Sequence, residues 1–113
     1  MAKDDYFVLA FRLLSYLYAC LKEGKRPDME YLSYDTRHFP IGEEYWNYLL
    51  VNLHKESFIT GVSIVSSLGQ VEQAKITRHL QITPKGIEYL AENSMMQKAK
   101  AALKEFKDII PGL

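Results

Sequence analysis

One short run, Thr83-Pro84-Lys85-Gly86, constrains this chain more than any other. A Thr that can accept a bond from a free helical N–H, followed by Pro in the first helical position, takes a chain out of an extended segment and into a helix. The residues before it form such a segment: Lys75 to Thr83 is an extended run with Ile76, Leu80 and Ile82 on one side. Phe58 to Val65 is a second run rich in β-branched residues, and Ser66-Ser-Leu-Gly-Gln between the two reads as a turn. The pattern predicts a β-hairpin that runs straight into a helix through Ile87, Tyr89 and Leu90.

Helical periodicity fills the rest. From Asp4 to Glu23 one apolar stripe runs through Tyr6, Ala10, Leu13, Leu17 and Leu21, and a second beside it through Phe7, Phe11, Leu14 and Tyr18. Asp4 and Asp5 suit the positive end of that helix, Lys22 the negative end, and Gly24 the left-handed position that closes it. Pro27 and Asp28 open a brief second helix, Met29 to Tyr34, and Asp35 to Pro40 reads as a turn. A third helix, Glu43 to Glu56, turns Trp46, Leu49, Leu50 and Leu53 inward, with Glu43, Glu44, Asn47, Tyr48, Val51, Asn52 and Lys55 outward. Asn93 and Ser94 mark a break. Ser94 is placed to cap a C-terminal helix over 94–110, striped by Met95, Met96, Ala99, Leu103, Phe106 and Ile110 and ended by Pro111 and Gly112.

A length of 113 residues suits a single domain, 1–113, with one real core. Lys and Arg total 14 against 14 Asp and Glu, so no global field draws the chain to nucleic acid or an anionic membrane. The 41–70 stretch carries one positive charge against three negative, while 71–113 carries seven against five, which puts any basic patch toward the C-terminus. Cys20 is the only cysteine and lies in an apolar run, so it reads as a small buried hydrophobe in a reducing compartment. An acidic start and Arg12 within the first apolar stretch argue against a signal peptide or a membrane span, and a cytoplasmic location is expected.

The order helix, short helix, helix, hairpin, helix is that of winged helix-turn-helix domains. The expected class is therefore α+β, with a two- or three-stranded antiparallel sheet and extra C-terminal helices. Phe58-Ile59-Thr60-Gly61, followed by Leu80-Gln81-Ile82-Thr83-Pro84-Lys85-Gly86-Ile87-Glu88-Tyr89-Leu90, resembles the strand entry and strand-to-helix junction of winged-helix regulators. With the Glu92-Asn93-Ser94-Met95-Met96 break and the Ile110-Pro111-Gly112 end, nearly the whole chain is similar to the YjcQ-like family of small bacterial and phage proteins. That resemblance implies a fold and a bacterial or prophage origin. It implies no reaction and no set of active residues.

No catalytic constellation is legible. His38, His54 and His79 are far apart, no Cys or His pair has metal-ligand spacing, and neighbouring Glu43 and Glu44 point about 100° apart on a helix. No phosphate loop, dinucleotide-binding glycine pattern or nucleophile elbow occurs, so neither an enzyme nor a cofactor or metal is expected. Two functions stay open. In the first, the third helix enters the major groove of duplex DNA, with Asn47 and Asn52 reading adenine and Arg37, His38, Lys55, Lys75 and Arg78 in support. In the second, the scaffold does not bind DNA and presents Tyr48, Val51 and other apolar groups to a protein partner. The two stripes of the first helix, together with the C-terminal helix, offer a homodimer surface. Lys98, Lys100, Lys104 and Lys107 read as a solvated face, with anion contact as the alternative.

Overall fold

The computed structural model describes residues 1–106 except Ser67 and Gln70. Ser67 and Gln70 of the expected hairpin turn, and the expected positions at 107–113, which include Lys107, Ile110, Pro111 and Gly112, lie outside the described residues. The element order is α1 (Tyr6–Glu23), α2 (Glu43–Lys55), β1 (Ile59–Val65), β2 (Gln73–Ile82), α3 (Pro84–Glu92) and α4 (Ser94–Glu105). The class is α+β: among the described residues, four helices and a two-stranded antiparallel sheet, an order compatible with a winged helix.

α1 is the centre of the molecule. Asp5 keeps an extended backbone, so the helix begins at Tyr6, and Gly24 closes it at φ 68 with its N–H directed at the Cys20 and Leu21 carbonyls. Every residue from Val8 to Ser15 is buried, Arg12 and Ser15 included. A helix apolar on one stripe buries one face, whereas two adjacent stripes let α1 be covered from several sides. α2, α3, α4 and β2 all pack on it. The middle of both stripes, from Ala10 to Leu17, is thus taken up within the chain, while Leu21 stays exposed, and α4 lays Met96, Ala99, Ala102 and Leu103 into the same core. α1 and α4, the helices expected to offer a dimer surface, also pack on each other. Burial pushes the Cys20 thiol above its ordinary range, as suits an inert thiol.

The expected helix at Met29–Tyr34 is instead a single turn. The Asp28 carbonyl accepts from the Tyr31 and Leu32 N–H groups, and the Asp28 carboxylate accepts from the Glu30 N–H. Six residues are too few to repay helix nucleation, and side chains fix this segment against α1 in another way. Tyr31 stacks on Tyr16 at 4.2 Å, and the Asp28 N–H donates to the Tyr16 hydroxyl at 2.7 Å.

The hairpin junction forms as its residues demand. The Thr83 hydroxyl accepts from the Gly86 N–H at 3.0 Å and donates to the Ser57 carbonyl, and Pro84 opens α3. A Cβ at Gly86 would lie 2.3 Å from the Phe58 carbonyl oxygen, so only glycine lets α3 leave the strand so close to β1. Pairing runs Ile59 to Ile82 and Thr60 to Gln81, then resumes at Val62 with Ile76. Residues 77–80 of β2 therefore bulge opposite Gly61, whose φ is 83 and whose carbonyl accepts from the Thr77 hydroxyl at 2.7 Å. Leu80 and Ile82 are buried and Ile76 half-buried, the side expected of them. At the start of α4, Asn93 rather than Ser94 is the cap: its side-chain oxygen accepts from the Met95 and Met96 N–H groups. Asn93 has the extended backbone a cap requires, and Ser94 is already helical.

Candidate functional site

α2, the third helix of the sequence reading, was expected to expose one broad polar face. It divides into two stripes with different fates. Asn47, Val51 and Lys55 are four residues apart and lie under the hairpin. The Asn47 amide donates to the Glu72 carbonyl at 2.8 Å and accepts from the Ala74 N–H at 2.7 Å, which fastens the start of β2 to the helix. The Lys55 ammonium pairs with the Glu72 carboxylate at 2.8 Å. Between them Val51 is 8% exposed, which corrects its outward placement. Helical periodicity places Val51 outward of the Trp46 and Leu50 face, but the folded-back hairpin covers that side as well.

The second stripe, Glu44, Tyr48, Asn52 and Glu56, stays open. Tyr48 is 58% exposed, and the Asn52 amide donates to the Tyr48 carbonyl at 2.8 Å within its own helix. Tyr48, Asn52 and Glu56 form one wall of a groove of about 610 Å³. Tyr6 and Phe7 of α1, Tyr45 of α2, Phe58 and Tyr89 complete it. The Tyr6 ring meets Phe7 and Tyr48 edge-on, and Phe58 stacks on Tyr89 at 4.1 Å. Burial pushes the Tyr6 phenol up to about 12, with help from the Tyr89 and Tyr48 phenols, the Glu56 carboxylate and the Tyr45 phenol. Tyr89 rises through burial and then Glu56, and Tyr45 through burial and then Asp4 and Asp5. The groove is aromatic and its neighbours are acidic.

The remaining expected contacts scatter. Arg78 lines a different cleft of about 460 Å³ together with Lys25, Arg26 and His79, between the end of α1 and the bulge of β2. Lys25 and Arg26 were not singled out from the sequence and His79 was weighed only as a metal ligand, because only the register shift brings the 77–80 segment beside the end of α1. His38 belongs to the packing of the 27–41 segment: its ring lies 4.4 Å from Tyr31, and its Nδ1 is 3.3 Å from the buried Arg12 guanidinium. Arg37 and Lys75 are exposed and line neither the groove nor the cleft. Of the eight expected contacts, the groove unites only Tyr48 and Asn52.

Among the described residues no three of His, Cys, Asp and Glu come close enough to hold a metal ion, and no helix is long and apolar enough to cross a membrane. Searches of curated proteins and of solved structures gave no match. The family model described as YjcQ protein matches residues 11–109, from the middle of α1 past the end of α4. The chain belongs to the YjcQ family.

Proposed function

We propose that this chain is a non-enzymatic winged-helix module that docks a partner protein on the open stripe of α2 and does not use that helix to read DNA bases. The observation that carries this is the composition of the stripe: Glu44, Tyr48, Asn52 and Glu56 include two carboxylates and no cation. Phosphate contacts supply most of the affinity of DNA-binding proteins, and carboxylates repel them. Asn47 and Lys55, which could have offset this, are engaged by the hairpin. The hairpin turn, 66–73, carries no Lys or Arg where a DNA-binding wing would carry cations, and Val71 is 76% exposed, with Leu68 and Val65 also exposed.

A DNA role keeps one observation in its favour, the cationic cleft around Arg78, which lies away from the open stripe. Titration of a labelled random duplex with the full chain at low salt separates the two. No binding is expected at any protein concentration short of aggregation. Binding that weakens steeply as salt rises, and that persists in Arg78→Glu, would overturn the proposal.

A further inference from the structure

We propose that the groove between α1, α2 and α3 is a binding site for a cationic side chain, an arginine guanidinium or a lysine ammonium carried by a partner polypeptide. This rests on the docking role above and adds the chemistry of what docks.

Three observations converge on a cation. The walls are mostly rings, whose faces carry the negative lobe of the aromatic quadrupole. The polar side chains among those rings are the phenols, the neutral Asn52 amide and the Glu56 carboxylate, with Asp4 and Asp5 close by at Tyr45. No Lys or Arg is among the described residues that line the groove. The rings of this region also hold a cation within the chain: the Lys85 ammonium lies 5.7 Å from the centre of the Phe58 ring, beside a smaller neighbouring cleft that includes Glu88 and Glu92. A charge placed over an aromatic face is attracted within about 6 Å.

The alternatives fit less well. A neutral apolar side chain would gain contact with the rings but nothing from the carboxylates. An anionic group would be repelled by them. A guanidinium matches best, since its plane stacks on a ring while its N–H donors reach phenol and carboxylate oxygens.

The test is titration of the full chain with N-acetyl-arginine methylamide and N-acetyl-lysine methylamide, with N-acetyl-citrulline methylamide as the uncharged isostere. Ring signals of Tyr48 and Tyr89 are followed by NMR. Both cations are expected to give saturable shifts, with arginine tighter and citrulline weaker than arginine by about fivefold, the scale of one partly exposed charge contact. Glu56→Gln should remove most of that preference, and Tyr48→Ala should weaken all three probes. Glu56 and Tyr48 are both exposed, so the variants keep the fold. Equal binding of citrulline, absence of shifts at the groove, or an unchanged preference in Glu56→Gln would overturn the cation assignment. If a photoreactive residue placed at position 48 cross-links a polypeptide in that event, the docking role survives without it. If no cross-link forms, both fall.

Discussion

The two ends of α1 carry surfaces of opposite character. At its start, Tyr6 and Phe7 help to build an aromatic groove beside Asp4, Asp5 and Glu56. At its end, Leu17, Cys20 and Leu21 floor a cleft bounded by Lys25, Arg26, Arg78 and His79. Phe7 and Cys20 are roughly 20 Å apart along the helix axis. A formal net charge of zero therefore leaves room for two local surfaces of different sign. The ends also differ in construction. Backbone against backbone makes the cleft, through Gly61 and the 77–80 bulge, whereas side chains make the groove. Surface side chains can vary with little effect on stability, but a close backbone approach cannot.

Substitutions can break that comparison. The largest effect is expected from Gly61→Ala at the cleft end, because a Cβ there would sit 2.3 Å from the His79 backbone at a φ of 83. A cost of about 3 kcal/mol is expected, against less than about 0.5 kcal/mol for Tyr48→Ala in the groove. Denaturant unfolding of the two variants measures both, and similar costs would erase the distinction. Next comes Asn47→Ala, which removes two bonds between α2 and the hairpin. About 1–2 kcal/mol should be lost, with faster hydrogen exchange at the Ala74 amide. Unchanged exchange there would mean that the hairpin does not depend on Asn47 for its place.

The effect that is smallest at neutral pH sharpens the groove alone. The Tyr6 phenol loses its proton at about 12 in the folded chain and near its ordinary value of 10.0 in the unfolded one. Because the folded state holds the proton more tightly, stability from this group is complete below pH 10 and declines as pH rises from there toward 12. Tyr6→Phe should flatten that decline in a pH series of unfolding measurements. A decline of the same steepness in the variant would assign it to other groups.

How much of this was legible in the sequence depended on the range of the interaction. The Thr83 cap, Pro84, Gly24 and the inward face of α2 follow from neighbours within a turn, and all four stand in the structure. Met29–Tyr34 was misread because its conformation is set by Tyr16, outside the local pattern. Asn93 and Ser94 are both good caps by type, and backbone geometry alone separates them. The site was less legible than the fold. Asn47 and Val51 read as exposed until the hairpin is folded back on them. Phe58 and Tyr89 lie 31 positions apart and form one stack only because β1 and α3 meet at Gly86. No periodicity in a single sequence encodes those pairings.

The central claim is that the open stripe of α2 meets protein. A photoreactive aromatic residue placed at Tyr48, activated in cells that produce the chain, tests it most directly. The expected product is a heavier adduct that protease destroys and nuclease leaves intact, absent when the same residue replaces the exposed Arg37. An adduct trimmed by nuclease, or no adduct at position 48, would contradict the account.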